Sequence, residues 1–268
     1  MIDWSVSATQ GLVGYWPFTE MGGRRWRNAV NNQVPVFSST YPGRWMPTLA
    51  GTAMDILQSD SNGQTIKVEN VLSGSAQATI GMLVLVQVKD SISSTGAQVV
   101  GATTGAYVAW RVCSDGNIDN TCRVDFIASS AYARPNISQL ATGSLYTLFA
   151  TWVSGTNPKV YAGLWPGGGM NELTYFDRGA GAGTIGASTN VVMGLDGNNR
   201  AALRLGWLGL WNRPLRVEEM ESLHIAPWQM IDTGEDSAYS AVAPAVVLSR
   251  TTLRDSGNRG GARQVVID

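Results

Sequence analysis

The stretch Leu208-Gly-Leu-Trp-Asn-Arg-Pro-Leu215, running on into Val217-Glu-Glu-Met220, decides the fold. Its first part reads as the end of an apolar strand over 203–211. Asn212-Arg-Pro214 then breaks the strand, because proline adds no ladder donor and its fixed φ suits the first turn of a helix. Glu218 and Glu219 follow where the helix dipole favours anions. The spacing predicts a short helix over 216–224, with Val217, Met220 and Leu223 on its packed face and Glu218, Glu219 and Glu221 on solvated faces. Pro227 stops it. His224, the only histidine, falls at the C-terminal end, where a cation is favoured. A helix this short at the end of a run of strands caps a sandwich.

Outward from this stretch the strand signals recur at short spacing, over 11–18, 79–88, 98–112, 122–128, 145–152, 159–164, 190–195 and 203–211. Turn chemistry separates them, as in Asp60-Ser-Asn-Gly63, Ser154-Gly-Thr-Asn-Pro158, Pro166-Gly-Gly-Gly169 and Asp196-Gly-Asn-Asn199. The pattern is all-β: a two-sheet antiparallel β-sandwich with one short helix near its C-terminal end. Trp16, Trp152, Trp207 and Trp211 sit in these strands and read as core. After residue 231 the composition changes, with no Trp or Phe over 232–268. The chain therefore reads as one domain over 1–231 and an extended C-terminal arm over 232–268.

Composition agrees. Thirty-one glycines and ten tryptophans suit many short strands with large apolar anchors, and charged residues at 15% fall below the roughly 25% usual for soluble domains. A net charge of −1 gathers neither nucleic acid nor anionic membrane, so neither is an expected partner. The basic residues are sixteen Arg and three Lys. Residues 1–30 lack a basic start followed by an apolar run, so no secretion signal is expected. The longest apolar run, Met82 to Val86, is far short of the roughly 20 residues that span a bilayer.

Three stretches together resemble one known family. Gly11-Leu-Val-Gly-Tyr-Trp-Pro-Phe18 resembles the opening strand of concanavalin A-like, laminin-G-like and pentraxin-like domains. Tyr146-Thr-Leu-Phe-Ala-Thr-Trp152 with Lys159-Val-Tyr-Ala-Gly163 resembles their central hairpin. The stretch from Leu208 into Met220 resembles their closing strand and following helix. The resemblance covers about residues 9–230 and implies a jelly roll. It departs at Gly206-Trp-Leu-Gly209, where the family often carries an acidic pair that serves part of a metal site. Ala226-Pro-Trp-Gln-Met-Ile231 resembles the close of such domains in tailed-bacteriophage virion proteins.

Catalytic chemistry finds little to stand on. Glycosidases on this fold need two carboxylates at Glu-x-Asp-x-x-Glu spacing along one strand, and no such spacing occurs. His224 has no Gly-x-Ser-x-Gly elbow to serve. Asp115, Asn117 and Asp119 repeat oxygen ligands as a calcium loop does, yet position six is Asn120 and position twelve is Phe126, so a calcium site competes with a polar hairpin tip. No other cofactor is expected. Cys113 and Cys122 flank a turn-rich segment, and a hairpin that set them face to face would allow one disulfide; zinc lacks ligands.

Two function classes follow. Trp26, Tyr41, Trp45 and Trp165 lie in loop-like stretches where sugar rings could stack, or where the indoles plug the sandwich or meet a neighbouring subunit. That glycan-binding class is the alternative; the main reading is a non-catalytic structural protein of a bacteriophage virion, a head decoration or tail-associated subunit. Its arm would dock on another copy or another virion protein through Val246, Val247, Leu248, Arg250, Arg254, Arg263, Val265 and Ile267.

Overall fold

The computed structural model describes residues 2–3, 5–18, 27–32, 36–37, 44–48, 51–56, 66–69, 71–89, 97–101, 109–114, 120–125, 131–135, 143–185, 190–193 and 201–230. Side chains are described over 2–3, 5–18, 27–32, 71–85, 131–135, 143–185 and 205–230. In chain order the strands are β1 (Leu12–Pro17), β2 (Val36–Phe37), β3 (Arg44–Thr48), β4 (Gly51–Ile56), β5 (Ile66–Glu69), β6 (Gln77–Lys89), β7 (Ala97–Gly101), β8 (Ala109–Ser114), β9 (Asn120–Asp125), β10 (Tyr132–Pro135), β11 (Leu145–Val153), β12 (Lys159–Trp165), β13 (Asn171–Glu172), β14 (Tyr175–Gly179), β15 (Asn190–Met193) and β16 (Ala201–Trp211). Helix α1 (Val217–Ile225) follows.

The strands form two antiparallel sheets, ordered β13-β12-β11-β6-β16-β4-β3 and β14-β10-β9-β8-β7-β15-β5-β2, with β1 joined to β16 in the first. β1 lies along Trp207–Trp211 while β4 lies along Leu203–Leu205. Between the sheets, Ile80, Met82 and Val84 of β6 and Leu148, Ala150 and Trp152 of β11 meet Ala133 of β10. The alternate residues of the first sheet turn the other way. Leu83, Phe149, Tyr161, Trp207 and Trp211 pack under a cap made by Ile2, Ala8, Leu12, Tyr15, Leu215, Met220, Leu223 and Met230. This part of the first sheet is therefore buried on both faces, which is why residues 145–152 of β11 are buried without a break.

A bulge makes this possible in β16. The ladder to β6 shifts between Leu205 and Trp207, so Leu205, Leu208 and Leu210 enter the sandwich while Trp207 and Trp211 enter the cap. Gly206 sits at the shift, where a Cβ would lie 2.8 Å from Leu83 Cδ2.

Two sequence expectations change here. The single strand over 98–112 is two strands, since Ala97 of β7 pairs with Val112 of β8 and the chain reverses between them. Gly101 and Gly105 frame that reversal in the sequence, inside a run apolar enough to read as continuous. The acidic helix face is not all solvated either. Glu219 is buried with Met220, Leu223 and His224, whereas Val217 is 36% exposed.

Candidate functional site

The motif that decides the fold turns out to be a structural lock. The Arg213 guanidinium forms two 2.8 Å hydrogen bonds with the Glu219 carboxylate, and donates to Gln10 O at 2.6 Å and Ser7 O at 3.1 Å. Glu219 also accepts the Arg216 N–H at the helix start, at 2.9 Å. Those bonds, Arg213 foremost, hold the Glu219 carboxyl down at about 2. The Thr79 hydroxyl donates to Arg213 O at 2.8 Å and accepts the Leu215 N–H at 2.9 Å, so β6 fixes the turn between strand and helix. Trp211 Nε1–H donates to Ala8 O at 2.6 Å. An arginine and a glutamate so engaged belong to the scaffold.

The β12–β13 hairpin carries a partly exposed tryptophan beside a tight glycine turn. Trp165 ends β12, opposite Leu145 of β11, and is half-buried against the cap. Beyond it comes Pro166-Gly-Gly-Gly169, with a cis bond at Trp165-Pro166 and Gly167 at φ +102°, a conformation that favours glycine. Gly168 N donates to Leu164 O at 2.8 Å and closes the turn.

His224 clamps this turn from below. Its Nε2 lies 2.6 Å from Gly168 O, and a carbonyl only accepts, so Nε2 carries the hydrogen. Nδ1 lies 3.0 Å from Thr147 Oγ1 and accepts its hydroxyl. Burial holds the ring below its ordinary pKa, so His224 is a neutral bridge between α1, β11 and the turn, and not the helix-end cation that the sequence suggested.

At the base of the hairpin a polar cluster lies where the two sheets meet. The Tyr175 hydroxyl of β14 accepts Val160 N–H at 2.7 Å and donates to Glu172 Oε1 at 3.2 Å, serving the edge of β12 where the two-residue β13 stops. Burial pushes that hydroxyl above the ordinary tyrosine range. Glu172 Oε2 lies 3.3 Å from Lys159 Nζ, and Oε1 lies 3.6 Å from an Arg178 nitrogen. The Arg178 guanidinium stands 4.6 Å from the centre of the Tyr175 ring. A bulge makes that stacking possible: Arg134 pairs with Asp177 but Pro135 with Tyr175, so Phe176 is the extra residue and is 55% exposed. Sequence reasoning missed this cluster, because Tyr175-Phe-Asp-Arg178 shows neither strand alternation nor a motif; its density of aromatic and charged residues was the available signal.

The other expected site residues scatter. Trp45 lies in strand β3 opposite Met54 of β4 and not in a loop, since Arg44–Thr48 and Gly51–Ile56 form a hairpin. Cys113 pairs with Thr121 and Cys122 with Val112, so the predicted hairpin forms with the cysteines one step out of register. Trp26, Tyr41, Asp115, Asn117, Asp119, the turn at Asp196-Gly-Asn-Asn199 and all arm residues lie outside the described residues. Among the described residues no group of three His, Cys, Asp or Glu side chains is placed to hold a metal, and no helix is long and apolar enough to cross a membrane.

Solved structures share this architecture. The chain aligns with the binding domain of Paraclostridial mosquitocidal protein 1 at TM-score 0.57 and 11% identity, over 81% of this chain and 52% of that one. Domain 4 of AbnA, an extracellular arabinanase from Geobacillus stearothermophilus solved with arabinotriose, aligns at TM-score 0.55 and 14% identity, over 80% of this chain and 98% of that one. The botulinum neurotoxin serotype D binding domain aligns at 0.52 and 11% identity, over 81% and 52%. The chain thus spans about half of each toxin domain and nearly all of the arabinanase domain. At these identities the likeness is one of fold. No family model matches the chain, and no curated protein matches its sequence.

Proposed function

We propose that the chain is a non-catalytic carbohydrate-binding module that meets glycans with aromatics at one end of its sandwich, Trp165 foremost. The observation that carries this reading is the mounting of Trp165. A partly exposed indole, its other side packed against the cap, stands beside a glycine turn that His224 clamps, so little ordering is left to oppose stacking on a sugar ring. Likeness to toxin binding domains and to an arabinanase domain solved with arabinotriose supports it. So does the absence of a glycosidase carboxylate pair in the sequence. A glycan array reads the proposal directly. Wild-type protein is expected to give signal that Trp165→Ala removes, with an unfolding midpoint lowered less than by Trp152→Ala. A signal indifferent to Trp165→Ala would overturn the assignment.

The virion reading keeps one supporting observation. Met230 is buried and its carbonyl accepts Asp3 N–H at 3.0 Å, which ties the end of the described residues back to the N-terminal turn and supports a division of the chain near 231. In that reading the arm straps the sandwich to a neighbouring copy or another virion protein.

A further inference from the structure

We propose that the cluster at the base of the β12–β13 hairpin is a subsite for acidic saccharides, with Lys159 and Arg178 taking a sugar carboxylate and Phe176 flanking the ring. The proposal rests on the glycan-binding reading and names the class of sugar. The cap closes the outer face of the first sheet over Phe149, Trp207 and Trp211, which removes that face as a binding surface. Among the described residues, what stays open beside Trp165 is its own hairpin and the adjoining edge strand. Glu172 pairs with Tyr161, four residues before Trp165, so cluster and indole lie about 13 Å apart along one strand at roughly 3.3 Å per residue.

Charge selects the ligand. Lys159 and Arg178 set two positive charges against the single carboxylate of Glu172, and a ligand carboxylate brings the cluster to balance. Asp177 does not fill that place. It sits across the ladder from Arg134 and accepts the Tyr132 hydroxyl at 2.8 Å, whereas Arg178 pairs with inward-facing Ala133. Both cations are substantially exposed, with side-chain exposures of 52% and 39%, and their contacts to Glu172 are long, so they can turn to a ligand at little cost. Arg178 offers the planar fork that matches a carboxylate, already oriented by its stacking on Tyr175. Tyr175 is itself fixed between Val160 and Glu172. Phe176, the extra residue of the bulge, is 55% exposed between Tyr175 and Asp177 in the same strand and offers an apolar face.

The test uses the full chain on an array that carries neutral oligosaccharides beside their uronic-acid and sialic-acid counterparts. Acidic spots are expected to dominate. Arg178→Gln and Lys159→Gln should each weaken them about tenfold, Phe176→Ala should weaken them as well, and raised salt should do the same to wild type. Melting temperatures of these surface variants should stay at the wild-type value. Signal confined to neutral sugars, lost in Trp165→Ala and unmoved by Arg178→Gln, would overturn the acidic subsite and leave the glycan-binding reading standing. Acidic signal indifferent to all three variants would also reject it, and an empty array would remove both.

Discussion

Arg213 and Glu219 show how one residue pair joins three parts of the chain. The guanidinium spans from the N-terminal turn at Ser7 and Gln10 to the first turn of α1. Replacing it with alanine leaves Glu219, 4% exposed, without its main partner. Arg213→Ala should therefore cost about 3 kcal/mol in denaturant unfolding, as breaking a buried pair does. The same pair sets an acid limit. With the carboxyl at about 2 in the fold against an ordinary 4.5, its contribution is full above pH 4.5 and is lost as pH falls toward 2; by linkage it is on the order of 3 kcal/mol. His224 acts in a higher window with the opposite charge. Its folded pKa lies below the ordinary 6.5, so under pH 6.5 the unfolded chain takes a proton that the fold refuses, and stability falls from there until the folded pKa is reached. Unfolding midpoints followed from pH 8 to 5 should show this decline in wild type. The decline should disappear in His224→Gln, whose amide can still reach Gly168 O without titrating.

At the scale of elements, the first sheet rests on glycines that make room for rings. A Cβ on Gly209 would stand 2.4 Å from Trp211 Cη2, and one on Gly81 would stand 2.4 Å from Phe149 Cε1. Trp211 cannot retreat while its indole N–H is bound to Ala8 O. Gly209→Ala should thus cost about 1–3 kcal/mol by overpacking, read as a lowered urea midpoint. Trp152 lies between the sheets and Trp211 under the cap, so each truncation to alanine should cost about 3–5 kcal/mol and the double variant should approach the sum. The legibility of the sequence follows the same division. β1, β6, β11, β12, β16 and α1 could be read from apolar runs, because residues buried on either face announce themselves. β2, β5, β10, β13 and β14 are two to five residues long and carry polar positions, so nothing separates them from loops until their partners are known. The candidate site divides alike. Trp165 was visible beside its Pro-Gly-Gly-Gly turn, but Lys159, Glu172 and Arg178 become one cluster only through the bulge at Phe176 and the crossing from β13 to β14. Glu219 and His224 were misread because the residues that bury them come from the other end of the chain or from β11.

For the whole molecule, the cap is what closes the outer face of the first sheet among the described residues. It draws on the N-terminal turn, β1, Ala29 and Val30, and on Leu215, Met220, Leu223, Trp228 and Met230. Asn28 fastens it along β1, accepting Tyr15 N–H and Val30 N–H, each at 3.0 Å, while Ala29 N donates to Tyr15 O at 2.8 Å. Met230, the last described residue, is buried and bonded to Asp3. If the division near 231 holds, removal of residues 232–268 should leave both described clusters intact, and a chain ending at 231 should unfold cooperatively at the full-length midpoint. In the glycan-binding reading the truncated chain should also keep its array signal, because Trp165 and the Lys159–Glu172–Arg178 cluster lie on the hairpin and the edge strand. In the strap reading the same truncation should abolish assembly, seen as loss of the higher-mass species in light scattering. A lowered midpoint would put the arm inside the core and overturn the domain division, and unchanged assembly would remove the strap.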